Sequence, residues 1–233
     1  VSLPDLGGTS RMNERGCPPL LGEPFPHVEV ESTLGKLTLP DDYAGKWFVL
    51  FSHPGDFTPV CTTEFVEFQL KSDEFKKLNT QLIGLSLDDV FAHMKWMEWI
   101  RDHFHVSISF PIIADQLGKL SMQLGMVSPN LSSSTVRTVY IVNPKGIIQL
   151  MLNYPPSVGR NIDEILRVVK ALQVSSENGV ATPVNWPNNS YLGSQVIIPP
   201  PRTVMAVEKR VEEAQQGDVQ CLDWWFCYKP LNE

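Results

Sequence analysis

Cys61 lies in the run HPGDFTPVCTTEF, His53 to Phe65, seven residues after Pro54 and three after Thr58. A Thr-Pro pair reads as a helix start, with Thr58 at the N-cap and Pro59 at the first helical position, where its missing N–H is no loss. Cys61 then falls at the third helical position, whose backbone N–H is the usual partner of the cap hydroxyl. In that first turn, unpaired N–H groups and the positive end of the helix dipole favour thiolate over thiol, which makes a cysteine nucleophilic. On these residues alone a second reading stays open: Thr58 merely caps a helix and Cys61 fills a gap in the core.

Two further cysteines, Cys221 and Cys227, stand in CLDWWFC near the C-terminus. Metal-binding pairs usually have C-x₂₋₄-C spacing and need four ligands. Here five residues intervene and no convincing second pair exists, so neither a metal nor any other cofactor is expected. Cys17, in RGCPPLLG, has no assigned chemistry.

The elements that must position these residues follow from the pattern of apolar residues. HVEVES and KLTL read as short strands joined at Leu34-Gly35, and WFVLFS, Trp47 to Ser52, is apolar on both faces, as a buried central strand is. The cysteine stretch follows, with Phe65, Phe68, Phe75 and Leu78 at mostly helical spacing. QLIGLSL is a strand, DVFAHMKWMEWIRDHF an amphipathic helix with Phe91, Met94 and Ile100 among its apolar positions, and ISFPII a third strand. GKLSMQLGM reads as a short helix ending near Gly125 and NLSSST as a polar loop. RTVYIVN and IIQLML flank a turn at Pro144-Lys145-Gly146, and NIDEILRVVKALQV, 161 to 174, is a helix with Asp163 and Glu164 at its N-terminal end.

Strands alternating with helices, then a hairpin and a last helix, predict an α/β thioredoxin-like fold: a mixed central sheet flanked by helices. The loop after a buried strand is where such folds build sites. From about residue 175 the character changes, and prolines at 183, 187, 199, 200 and 201 forbid long regular elements. The expected organisation is a leader or tail over 1–21, a thioredoxin-like domain over 22–174, and a C-terminal extension, an arm or small second domain, over 175–233.

The 233 residues suffice for a well-buried core. Acidic residues outnumber basic ones 26 to 19, and the net charge of −7 argues against nucleic-acid or anionic-membrane partners. The apolar runs are strand-sized, so no transmembrane span is expected. Residues 1–11 look like a leader outside the fold, with no export signal. The expected compartment is cytoplasmic, where four cysteines would not form a static disulfide framework.

The run Pro54 to Cys61 matches the P-x-x-x-T-x-x-C signature of the peroxiredoxins, and HPGDFTPVCTTE resembles the 1-Cys subfamily. YPPSVGRNIDEILRVVKALQ and VATPVNWP resemble that subfamily's later blocks, so the resemblance covers roughly residues 22–233. It implies a thiol-dependent peroxidase in which Cys61 attacks a hydroperoxide and becomes a sulfenic acid. Thr58 would donate and accept hydrogen bonds with the peroxide, and Pro54 would shield the thiolate. Arg137, opening RTVYIVN, is similar to the family's active-site arginine, which stabilises thiolate and bonds the peroxide. His53 corresponds to a histidine beside the sulfur and Arg160 to a second arginine near the pocket, while Glu64 would anchor Arg137 or Arg160. Homodimers, and rings of dimers such as a homodecamer, are implied as well.

A sulfenic acid must be reduced by an external thiol, such as thioredoxin or a small thiol, or through a resolving cysteine. The ending CLDWWFCYK resembles archaeal and thermophilic bacterial members with extra C-terminal cysteines. By that resemblance Cys227 resolves Cys61 of a partner subunit, with Cys221 as accessory; otherwise the two are a structural pair or two packed thiols. Two other functions compete with this one. A ring-forming holdase or redox-signalling relay fits the assembly habit of the family. A phospholipase does not fit, because LPDDYAGKWF carries no serine box and Ser86 in GLSLD lacks the second glycine of a nucleophile elbow.

Overall fold

The structure, a computed structural model, describes residues 17–127, 134–217 and 219–231. The leader at 1–11 and most of the NLSSST loop lie outside the described residues. The chain divides into two compact units, Val1–Ile162 and Asp163–Glu233. The helix that the sequence pattern places at the end of the first region, 161–174, thus belongs almost wholly to the second unit.

In the first unit, β1 (Val28–Ser32) and β2 (Gly35–Leu39) form the expected hairpin, followed by a 3-10 turn at Asp41–Tyr43. Then come β3 (Trp47–Ser52), α1 (Pro59–Leu70), α2 (Ser72–Lys77), β4 (Thr80–Ser86), α3 (Val90–Phe104), β5 (Ile112–Ala114), α4 (Lys119–Gln123), β6 (Arg137–Val142) and β7 (Ile148–Tyr154). The seven strands make one mixed sheet in the order β2-β1-β5-β4-β3-β6-β7. Strand β3 is paired with β4 in parallel and with β6 antiparallel, and every one of its residues is buried, which is why its sequence is apolar on both faces. This is the thioredoxin-like architecture expected from the sequence.

A core of Phe25, Leu39, Phe48, Leu50, Ile83, Leu85 and Tyr140 fills one side of the sheet. Phe51, Phe65 and Phe68 cluster around β3 and α1, with Phe51 stacked on Phe68 at 3.9 Å between ring centroids. Gly84 lets Phe65 approach the sheet: a Cβ there would stand 2.9 Å from the ring.

Two local expectations change. The helical spacing of Phe65, Phe68, Phe75 and Leu78 belongs to two helices, broken at Lys71. In α3 the buried face is His93, Trp96 and Ile100, whereas Phe91 is 74% and Met94 42% exposed. Apolar type alone did not reveal which stripe faces inward, because this helix carries aromatics and methionines around much of its circumference.

The second unit holds α5 (Ile162–Asn178), β8 (Val196–Ile198), α6 (Val204–Gln216), β9 (Gln220–Asp223) and β10 (Phe226–Lys229), with a small sheet ordered β8-β10-β9. Ala171, Val180, Trp186 and Val196 form its core. Helix α6 corrects the expectation that prolines exclude long elements here. Its 13 residues begin just after the proline run, with Thr203 accepting from the Ala206 N–H at 3.3 Å and Gly217 closing the helix at φ +83°.

Candidate active site

The stretch between β3 and α1 carries the opening cysteine, and its ends are anchored by sheet geometry. At the end of β3 the Ser52 hydroxyl donates to the Val136 carbonyl at 2.5 Å and accepts from the Thr138 N–H at 3.0 Å. This ties the exit of β3 to the entry of β6, where Arg137 begins. The loop then bends through Phe57, a non-glycine residue at φ +55°, an uncommon left-handed conformation that turns the chain into the helix.

Helix α1 starts as the sequence predicts, with Thr58 extended at the N-cap (φ −109°, ψ 143°), Pro59 at the first position and Cys61 at the third. The expected side-chain cap is absent, however. The Thr58 hydroxyl donates backward to the Gly55 carbonyl at 2.8 Å, and its oxygen makes no capping bond to α1. The loop supplies a carbonyl at hydrogen-bonding distance, and a hydroxyl has only one hydrogen to give. Thr58 is therefore left with oxygen lone pairs to offer a ligand, and the first-turn N–H groups of α1 have no side-chain cap.

Cys61 is fully buried, and Arg137 Nη1 donates to its sulfur at 3.4 Å. The same nitrogen donates to Glu64 Oε2 at 2.6 Å, while Arg137 Nε and Nη2 both donate to the Pro156 carbonyl, at 3.0 and 2.8 Å. Glu64 stands one helical turn beyond Cys61, so both side chains share a face of α1. Its other partner is Arg160, whose backbone N–H and Nε donate to Oε1, each at 2.8 Å, and whose Nη2 donates to Oε2 at 2.7 Å. Arg160 Nη1 donates to the carbonyls of Ser52 and Thr138, and its guanidinium lies over Phe51 and Phe68. Burial pushes the Glu64 carboxyl up, but Arg160 and then Arg137 outweigh it and hold the group below the ordinary carboxylate range. Glu64, Arg137 and Arg160 thus meet as an ion-paired network in which Glu64 serves both arginines.

His53 is fully buried beyond the end of β3, stacked on Trp96 at 5.2 Å and edge-on to Phe65 at 4.7 Å. Its Nε2 is 2.8 Å from Asp56 Oδ1. A carboxylate only accepts, so Nε2 carries the hydrogen and Nδ1 keeps its lone pair, buried without a hydrogen-bond partner. Burial drives the His53 imidazole below its ordinary range, against the pull of Asp56. The other Asp56 oxygen takes His93 Nδ1 at 2.7 Å, and His93 Nε2 faces the Ile113 carbonyl at 3.2 Å. Burial alone would raise the Asp56 carboxyl, but the hydrogen bonds of His53 and His93 bring it below its ordinary range. The ligand-type atoms of His53, Asp56 and His93 lie within 4.8 Å of one another, a closeness that the two hydrogen bonds to Asp56 account for. Pro54 is half-buried in the same loop.

Asp56 and His93 were missed by the sequence reading as site residues. His93 left a signal: it shares the i, i+3, i+7 stripe with Trp96 and Ile100, a histidine on what proves to be the inward face of α3.

Cys221 and Cys227 are bonded to each other, one of the pairings that the sequence left open. They face each other across β9 and β10, with Cα atoms 4.1 Å apart, because the turn at Trp224-Trp225 folds one strand back on the other. Trp224 and Trp225 are exposed on this chain. Cys17 is an exposed thiol.

Comparison with known proteins agrees with this geometry. Residues 21–151 match the model of the AhpC/TSA family, and residues 171–214 match the C-terminal domain of 1-Cys peroxiredoxin. A peroxiredoxin of Methanocaldococcus jannaschii is 59% identical over 92% of this chain and 100% of its own, and one of Thermotoga maritima is 61% identical over 91% and 98%. Among solved structures, a cysteine-to-serine mutant of the peroxiredoxin 6 of Arenicola marina superposes with a TM-score of 0.79 at 35% identity, covering 92% of this chain and 99% of that one. A yeast mitochondrial 1-Cys peroxiredoxin, described with a thiol resolving mechanism via glutathione/thioredoxin systems, gives 0.77 at 37% identity over 90% and 98%.

Proposed function

The chain belongs to the peroxiredoxins, thiol-dependent oxidoreductases that reduce peroxides, and from that premise we propose that Cys61 is its peroxide-reacting nucleophile. The observation that carries this reading is the Arg137 Nη1–Cys61 Sγ contact of 3.4 Å at the uncapped first turn of α1. A guanidinium and unpaired N–H groups together favour negative charge on the sulfur. The thiolate attacks the terminal peroxide oxygen and the O–O bond breaks, leaving a sulfenic acid on Cys61. The departing oxygen takes a proton and leaves as water or an alcohol.

Thr58 supplies an acceptor for the peroxide hydrogen, because its own hydrogen is committed to Gly55. Pro54 acts as the lid over the site. Glu64 and Arg160 keep Arg137 aimed at the sulfur, and His53 takes the supporting place beside it. Thr58→Val is expected to slow the reaction with hydrogen peroxide by about ten- to a hundredfold in stopped-flow measurements. Unchanged kinetics would remove Thr58 from the mechanism.

The second half of the cycle runs through the C-terminal pair, in an arm spanning residues 175–233. Cys227 of a partner subunit attacks the sulfenic acid, forming a disulfide to Cys61 and releasing water. Cys221 then attacks Cys227, which frees the Cys61 thiolate and leaves the Cys221–Cys227 disulfide. That bond, present in the structure, supports the reading because it is the expected end product. An external thiol, thioredoxin or a small thiol, reduces it and completes the cycle. The assembly is a homodimer, extending to a ring of dimers, in the cytoplasm, with no metal or cofactor.

On non-reducing gels after one equivalent of peroxide, Cys221→Ser is expected to accumulate a disulfide-linked dimer, and Cys227→Ser to form none. A dimer that survives Cys227→Ser but not Cys221→Ser reverses the two roles.

A further inference from the structure

Asp88, two residues past the end of β4, has no part in the scheme above, yet its carboxylate reaches the active-site loop. Its Oδ2 accepts the backbone N–H of Asp56 at 2.9 Å and the Ser86 hydroxyl at 2.8 Å, while its own N–H donates to the Ser86 hydroxyl at 3.0 Å. The Asp56 N–H belongs to the same planar peptide group as the Gly55 carbonyl, which accepts the Thr58 hydroxyl at 2.8 Å. In a trans peptide the N–H and C=O point in opposite directions, so Asp88 and Thr58 hold the two ends of one rigid unit. The residue next along is fixed as well: the Asp56 carboxylate is held by His53 at 2.8 Å and His93 at 2.7 Å. The groups that face Asp56 are therefore Asp88, His53 and His93.

We infer that Asp88 is a positioning residue for peroxide reduction, acting through the Gly55–Asp56 peptide on the orientation of the Thr58 hydroxyl. This rests on the reading of Thr58 as the acceptor of the peroxide hydrogen. Two effects act in the same direction. The hydrogen bond from Asp56 N–H to a carboxylate fixes the tilt of the peptide plane, so that the Gly55 carbonyl captures the threonine hydrogen and the lone pairs are left for substrate. Polarisation along the chain from carboxylate to peptide to hydroxyl also raises electron density on Thr58 Oγ1, strengthening it as an acceptor. A carboxylate serving only the local turn with Ser86 would have no need of the Asp56 N–H.

The test compares two reactions of Cys61 in the reduced protein: the second-order rate with hydrogen peroxide, and alkylation by iodoacetamide read by peptide mass at Cys61. Alkylation needs the nucleophile but not the Thr58 acceptor. Asp88→Ala is expected to lower the peroxide rate about tenfold and to leave alkylation within about twofold. Asp88→Asn, which keeps an acceptor for the Asp56 N–H, is expected to recover most of the loss. In a Thr58→Val background Asp88→Ala is expected to cost nothing further, because both changes remove the same interaction.

An equal loss in the presence and absence of the Thr58 hydroxyl overturns the inference, as does a parallel fall in alkylation or an unchanged peroxide rate in Asp88→Ala. If Thr58→Val alone reacts at the wild-type rate, the reading of Thr58 fails. If Thr58→Val is slow and Asp88→Ala is not, only the role of Asp88 fails.

Discussion

Cys61→Ser is expected to abolish peroxide consumption, a loss of at least about a thousandfold, in a protein that remains folded. The two expectations have separate causes. A serine hydroxyl stays protonated at neutral pH, and neither the first turn of α1 nor one guanidinium N–H supplies the general base it would need to attack an O–O bond. The fold tolerates the change because serine is nearly isosteric and its oxygen can accept the hydrogen bond that Arg137 Nη1 now gives the sulfur at 3.4 Å, so no buried polar group is stranded. The measurement is stopped-flow consumption of hydrogen peroxide with the reduced protein, beside far-ultraviolet circular dichroism. Wild-type consumption by the serine variant would sink the assignment of Cys61. The same variant addresses the holdase alternative: undiminished protection of an unfolding client by Cys61→Ser would establish an activity independent of the thiol.

Glu64→Ala is expected to cost about 3–5 kcal/mol of stability and to slow peroxide reduction. Glu64 accepts four hydrogen bonds from two guanidinium-bearing residues, with its side chain and those of Arg137 and Arg160 essentially inaccessible to water. Removing the carboxylate leaves two buried cations without their anion, which is worse than never having had the pair. Arg137 also loses the partner that fixes Nη1 between helix and sulfur, so the rate falls with the stability. Urea unfolding of wild type and variant checks the first effect. A loss under about 1 kcal/mol would mean that Pro156, Ser52 and Thr138 hold the arginines unaided.

The same carboxylate gives the acid limb of stability a definite sign. Its folded value lies below the unfolded one, so its contribution is present above the ordinary glutamate value of about 4.3 and is lost as pH falls through the lower folded value. Asp56 acts in the same sense for the same reason, with His53 and His93 as its partners. His53 adds to the loss at higher pH. Its value is depressed in the fold, so below about 6.5 the unfolded chain takes up the proton first and stability falls. Wild type is therefore expected to lose stability on acidification from about pH 6.5 downward, and Glu64→Ala to lose less across the carboxylate range.

Much of the site was legible because it is short-range. Strand, turn, helix start and cysteine occupy Trp47 to Cys61, where each spacing is set by one helical turn or one loop. Thr58 at the cap, Pro59 at the first position and Cys61 at the third follow from backbone geometry that local sequence dictates. What local sequence did not dictate was the direction of the Thr58 hydroxyl. The cap position predicts that the oxygen accepts from α1, whereas in the fold that bond is not made and the hydroxyl hydrogen goes to the Gly55 carbonyl, which the loop brings within reach.

Periodicity and capping act over a few residues, so the sequence was enough to place Cys61 at a helix start after a buried strand and to give the mixed α/β architecture. It took the tertiary structure to show that Glu64 joins both Arg137 and Arg160, 73 and 96 residues away, and that Asp56 meets His93, 37 residues away. Each of those meetings depends on which strand lies beside which and in what register, or on which side of a helix turns inward. Contacts of that kind form only when the whole sheet has closed its order, so no window of sequence contains them.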